Sequence, residues 1–228
     1  MILSAQQIEA AHLAGEIVID PFEQKQIQAA SYDMRVGPQG ATTKTKELVN
    51  VEEAGYLLLE PGDFAFVSVL EELTLGNQYA ARFGLRSMYS RKGLIATAGH
   101  IDPGFHGRLI VGLTNLTPTP VSLPFKDDFI SVEFYKLEQP TTKPYKGPYQ
   151  DRLALGPEEI KAVTEGTGMA LSEVLTTLGT LSQNVSSLAQ SVSSLKGELS
   201  SLRWVLPLIV TVIVTVGVAI MGVIVAIK

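Results

Sequence analysis

Asp102 opens an Asp-Pro-Gly turn, and Phe105 follows three residues later. A carboxylate fixed on such a turn can orient a water or a hydroxyl, while the ring offers a flat apolar surface. The same residues equally suit a hairpin that needs the turn for its own sake. Upstream, Arg86 and Ser87 set a forked cation beside a neutral hydroxyl, a pairing that suits phosphate oxygens and, as readily, an ion pair at an interface. His100 and His106 flank Asp102, but two imidazoles and one carboxylate on a turn do not define a ligand set, so no metal bound directly by protein ligands is expected. Asp127 and Asp128 are adjacent; on a strand their carboxylates would point apart, and a solvated turn is the expected setting. Asp33 and Arg35 suggest an ion pair within the N-terminal half.

Groups this scattered need a scaffold to bring them together. The chain has 228 residues, enough for one sizeable core plus an appendage. Its net charge is -5 and it has no basic block, which argues against nucleic acid as a partner, because phosphate neutralisation needs clustered Lys and Arg. The absence of Cys removes disulfides, thiol chemistry and Cys-rich zinc sites. The N-terminus lacks a basic stretch followed by a sustained apolar one, so a secretory signal is not expected. Residues 2–15 read as a short helix with Ser4 as N-cap and Gly15 at its end. From 17 to 137, short alternating or apolar runs cut by turn residues predict an antiparallel β domain, barrel or sandwich. The Pro-rich stretch 139–152 reads as an extended arm, and the glycines at 156, 166 and 168 suggest a flexible joint.

Beyond the joint, apolar residues recur at alternating spacings of four and three: Val174, Leu178, Leu181, Val185, Leu188, Val192, Leu195, Leu199 and Leu202. This is a coiled-coil seam; Val at some core positions with Leu at others leans toward two strands, a preference that a trimeric head would override. A single helix laid on the head would show the same stripe. Residues 205–227 contain no charge and, at helical rise, would cover about 30 Å of hydrocarbon. Trp204 suits the interfacial belt and Pro207 is tolerable near the start of such a span. The expected organisation is a β head at 1–152, a linker at 153–170, a coiled-coil stalk at 171–203 and a transmembrane anchor at 204–228. Tail anchoring would leave the head on the cytosolic side; an envelope component of a virus fits the same layout.

Six short motifs in order carry a family resemblance: ILS at the start, IQAASYDMRVG at 27–37, EPGDFAFVSVLEELTL at 60–75, RSMYSRKGL at 86–94, AGHIDPGFHGRL at 98–109 and PYKGPYQ at 144–150. Over about residues 1–152 the chain resembles the dCTP deaminase and dUTPase superfamily. The resemblance implies a mainly β, dUTPase-like distorted barrel or jelly roll, assembled as a homotrimer with sites at subunit interfaces. It further implies Arg86 and Ser87 as phosphate contacts, Asp102 as the carboxylate that positions the attacking water, Phe105 as the sugar-stacking ring and Tyr149 with Gln150 as the start of a lid. Asp33 would be mainly architectural in that pattern.

The chain also departs from the family pattern. Leu85, Met88 and Tyr89 replace smaller residues around Arg86 and Ser87, and the later Pro-Gly-x-x-Ile-Gly-Gln segment becomes 125–131, with its glycine positions filled. Asp151 and Arg152 replace the usual lid continuation. Matching GRLIVGLTN to the family strand that carries the general acid/base Glu puts Gly112 at that position. Loss of a general acid/base removes about 100- to 10,000-fold in rate. Two classes of function follow. One is a catalytically altered or inactive family member, a nucleotide-binding or assembly head tethered to a bilayer. The other is an active membrane-bound dUTPase-like hydrolase, in which Mg²⁺ would bridge the triphosphate.

Overall fold

The structure, a computed structural model, describes residues 1–165 and 171–226, and within its longest helix the side chains of 177–196 and 206–221. The chain divides into two compact units, Met1–Glu173 and Val174–Lys228.

The first unit begins with α1 (Ala5–Leu13), whose entry is fixed by the Gln7 side chain accepting from the Ser4 amide at 2.9 Å. Gly15 follows at φ 70°, the left-handed geometry expected just past a helix end. Then come β1 (Ile17–Asp20), β2 (Tyr32–Thr42), β3 (Leu48–Asn50), α2 (Val51–Ala54), β4 (Tyr56–Leu59), β5 (Phe64–Leu75), β6 (Tyr79–Leu85), α3 (Ser87–Arg91), β7 (Leu94–Ala96), β8 (Gly99–Ile101), β9 (His106–Asn115), β10 (Val121–Pro124) and β11 (Asp128–Lys136). The main sheet runs β7-β9-β5-β2-β11-β6-β8, with β1 on β5 and β3 on β2; β4 and β10 form a separate pair. All the paired strands are antiparallel, as the alternating runs predict.

The sheet curls because its long strands carry register shifts. The β2–β5 ladder skips between Val36 and Gly40, and the β5–β9 ladder between Ser68 and Glu72. Gly37 is required at the first of these: a Cβ there would lie 2.2 Å from the Val69 carbonyl oxygen. Inside the curl, Ile8, Ile17, Tyr32, Met34, Phe129 and Phe134 are fully buried in one cluster. Each such side chain contributes about 1.5–3 kcal/mol of burial. The core also contains a charged group. The Arg35 guanidinium donates from Nε to Glu71 Oε1 at 2.6 Å, its amide donates to Glu71 Oε2 at 3.0 Å, and it also pairs with Glu23. Arg35 therefore pairs with Glu71 and Glu23 rather than with Asp33.

The stretch read as a linker contains α4 (Pro157–Glu165), whose Glu159 and Val163 are buried. Its helical spacing is short and its only large apolar anchors are Ile160 and Val163, too faint a pattern to stand out between glycines.

The second unit is one helix, α5 (Leu171–Ala226), continuous through Pro207. The Thr211 hydroxyl donates to the Pro207 carbonyl at 2.8 Å and Thr215 to the Thr211 carbonyl at 2.7 Å. The predicted seam residues Leu178, Leu181, Val185, Leu188, Val192 and Leu195 are all exposed; Val174, Leu199 and Leu202 lie outside the described side chains. A transmembrane helix was expected at 204–228. Among the described residues no helix is long and apolar enough to cross a membrane; the apolar side chains described there run only over 206–221.

Candidate functional site

Strands β8 and β9, the turn joining them and the segment after β11 enclose a cavity of about 420 Å³. Asp102 and Phe105 line it from the turn, Arg108 and Ile110 from β9, Thr97 and His100 from the other side, and Tyr145, Tyr149, Arg152 and Glu159 from the C-terminal segment. Two glycines make the close packing here feasible. At Gly99 a Cβ would lie 1.8 Å from the Phe83 ring, and at Gly107, with φ 145°, it would lie 2.8 Å from the Arg152 carbonyl oxygen.

Asp102 is half exposed, with His100 Nε2 3.6 Å from its carboxylate. Phe105 is 6% exposed and tilted against Tyr145 at 5.8 Å between ring centroids. Its ring is therefore largely covered by the chain itself. The C-terminal segment is tied down by backbone bonds: the Tyr145 amide to Pro103 O at 2.8 Å, the Asp151 amide to His106 O at 2.8 Å, and the Arg108 amide to Arg152 O at 2.7 Å. Gln150 adds side-chain bonds, donating to Gly104 O at 3.1 Å and accepting from the His106 amide at 3.3 Å. Arg152 then grips Glu159 with both terminal nitrogens at 3.2 Å, and the same carboxylate accepts from the Gly156 amide at 2.7 Å. Its guanidinium also lies over the Tyr149 ring. The predicted lid residues thus sit in a strap docked along β9 and fastened to α4.

Arg86 and Ser87 lie elsewhere. Arg86 precedes α3, and its Nη1 contacts Asp33 at 3.0 Å and Asp128 at 2.9 Å. Burial holds the Asp33 carboxyl above its usual range, against the pull of Ser131 and Arg86. Asp127 and Asp128, both part-exposed, have different partners: Tyr89 donates to Asp127, and Gln26 and Arg86 donate to Asp128. Burial, reinforced by Asp127, pushes the Tyr89 phenol upward. Tyr89 is thus a buried residue whose hydroxyl is held by Asp127.

Gly112 is the β9 position that the resemblance matches to the family Glu. Strand alternation puts Gly112 on the same face of β9 as Arg108 and Ile110, two of the residues that line the cavity. The space a side chain at 112 would enter is taken by Thr97: a Cβ would lie 3.1 Å from both Thr97 Oγ1 and Cγ2, and 3.3 Å from the Phe64 ring. Thr97 Oγ1 accepts from the Gly112 amide at 3.2 Å, and the Thr97 amide donates to Gly112 O at 2.9 Å. Among the described lining residues the carboxylates are Asp102 and Glu159, and Glu159 is committed to Arg152. The same alternation, applied to GRLIVGLTN, would have found Arg108. Arg152, Glu159 and Tyr145 carry no such signal, because they reach the cavity through an irregular strap.

The match to a family model described as dCTP deaminase-like covers residues 2–136. The chain belongs to this family. It is similar to the dCTP deaminase of Thermococcus sibiricus, 36% identical over 135 residues, which covers 59% of this chain and 85% of that one. It is also similar to the dUMP-forming dCTP deaminase of Dictyoglomus thermophilum, 33% identical over 184 residues, 67% of this chain and 95% of the relative. Among solved structures, the dCTP deaminase from Agrobacterium tumefaciens matches with a TM-score of 0.50 at 19% identity, over 58% of this chain. The chain spans about half of that structure, 48% of its length, and the likeness concerns the fold. Most of the dCTP deaminase-like head falls inside these matches, while α4 and α5 lie beyond the family model.

Proposed function

We propose that this protein is a catalytically altered member of the dCTP deaminase-like family, whose homotrimeric head binds a deoxynucleotide or serves in assembly and whose C-terminal segment tethers it to a lipid bilayer. The observation that carries the first part is Gly112. Deamination needs a group that moves protons between water and the cytosine ring, and a hydrogen atom cannot do so. With Thr97 packed over Gly112, no neighbouring acid replaces it: Asp102 is the one lining carboxylate among the described residues without an Arg partner, and it sits on the turn rather than on the strand.

Asp102 would orient a water or sugar hydroxyl, Phe105 and Tyr145 would form an apolar wall, and the strap would close over the ligand. Arg86 and Ser87 would reach a phosphate only from a neighbouring copy, which is one reason for reading the head as a trimer. Support for the tether is the uncharged stretch at 205–227, with Trp204 before it; Arg203 and Lys228 flank it evenly, so the cytosolic placement of the head follows from tail anchoring alone, and a viral envelope is the alternative setting.

A second reading, an active dUTPase-like hydrolase, is favoured by the half-exposed Asp102 in the cavity. Mg²⁺ belongs to that reading and would arrive on the triphosphate oxygens, because the described residues offer no group of three or more His, Cys, Asp or Glu side chains as ligands. The experiment is product analysis of the full chain in detergent with dCTP, dUTP and Mg²⁺, beside Asp102→Asn. The first reading expects no ammonia from dCTP and no pyrophosphate from dUTP, with micromolar or tighter deoxynucleotide binding if the head is a sensor. Pyrophosphate release from dUTP that vanishes in Asp102→Asn would establish the second.

A further inference from the structure

Every described side chain of α5 is exposed, and one face of its first half carries a regular apolar seam. Leu178, Val185 and Val192 occupy one core position of the heptad and Leu181, Leu188 and Leu195 the other, and each is between 54% and 65% exposed. A stripe of this kind is covered by another helix with the same repeat, knob into hole. The positions beside it point to what that helix is. Thr177, Asn184 and Ser191 flank the seam on one side and Ser182, Ala189 and Lys196 on the other, so one cation is the whole charge at these described flanking positions. Serines beside and behind the seam turn back onto the helix's own carbonyls: Ser186 to Ser182 at 3.0 Å, Ser191 to Ser187 at 3.0 Å and Ser194 to Ser191 at 2.9 Å. A foreign partner would be selected by complementary charge at these flanks, and there is almost none to read. An identical copy needs none, because it brings the same knobs at the same spacing and meets no repulsion.

We propose that residues 178–195 form a parallel, in-register bundle with other copies of this chain. The proposal rests on reading this segment as a stalk. Each copy enters the bundle from its head at the N-terminal end, so the copies run in the same direction, and Val then packs with Val and Leu with Leu in successive layers.

The absence of Cys from the chain gives a direct test, since an introduced thiol is the sole thiol. Full-length Leu181→Cys and Leu195→Cys proteins are purified in detergent micelles and oxidised mildly, beside Ser187→Cys and Gln190→Cys on the outer face. Disulfide formation needs Cα atoms within about 7 Å, so both seam variants are expected to cross-link to themselves about tenfold faster than the outer ones. No antiparallel alignment lets residues 181 and 195 each meet their own counterpart. Cross-linking at one of them alone, or equal rates at seam and outer positions, would overturn the proposal. Should Leu181→Cys lose its helical signal in circular dichroism, Val185→Cys repeats the test with a smaller change. Nucleotide binding and turnover by the same proteins are read separately, so a stalk that fails to associate is distinguishable from a head that has been misread.

Discussion

The head and the long helix deal with apolar surface in opposite ways. In the head, Ile17, Tyr32, Leu73, Phe129 and Phe134 vanish into a curled sheet, and even the Arg35–Glu71 ion pair is enclosed. In α5, every side chain described is exposed, including Leu188 at 65% and Ile213 at 65%. The head completes its own core, whereas the helix presents a seam and an apolar stretch that a single chain cannot cover. Burial is internal in the head, and under the proposal above the seam of the helix is buried against other copies of the chain.

That contrast can be broken at either end. The largest effect expected is in the helix: Leu188→Asp together with Leu195→Asp places carboxylates in the seam and should abolish stalk association, leaving the unfolding of the head unchanged. Sedimentation and the protease resistance of 171–203 report the first, and thermal unfolding of the head the second. Unchanged protease resistance would mean the seam is not buried. In the head, Glu71→Ala leaves the enclosed Arg35 guanidinium with Glu23 as its one remaining carboxylate and should cost at most about 3–5 kcal/mol in denaturant unfolding, against little change in the helix. Arg152→Ala leaves the buried Glu159 carboxylate without its forked partner, a loss of about 1–3 kcal/mol that should appear as faster proteolytic cleavage within 140–156.

The smallest effect expected is a pH dependence. Lys25 and Arg35 hold the Glu23 carboxyl below its usual value of 4.5. A carboxyl with a lowered folded pKa contributes stability at pH above 4.5, and that contribution is lost as pH falls through the folded value. Glu23→Gln should therefore lower stability slightly at neutrality, where this contribution is fully present, and the two proteins should converge as pH falls below 4.5.

Much of the head was legible in the sequence because period-two runs and turn residues fix antiparallel strands locally. The curl itself was less so. It depends on ladder shifts at Val36–Gly40 and Ser68–Glu72, and Gly37 shows its purpose only when Val69 is seen opposite it. In the candidate site, Asp102 and Phe105 both line one cavity, and Gly112 lies further along the strand that supplies Arg108 and Ile110 to it. Arg86 could not be placed from sequence, since its partners Asp33 and Asp128 lie 53 and 42 residues away. α4 was hidden among glycines, and its role as anchor for the strap depends on the single pairing of Arg152 with Glu159.

We propose that Gly112, at the strand position that the resemblance matches to the family Glu, leaves the head without deamination. The most direct measurement is ammonia release from dCTP by the purified full chain, with folding of the head confirmed by its unfolding transition. The account predicts no ammonia above the uncatalysed background. Sustained, enzyme-dependent ammonia release would contradict it and would mean that another group near Asp102 moves the proton.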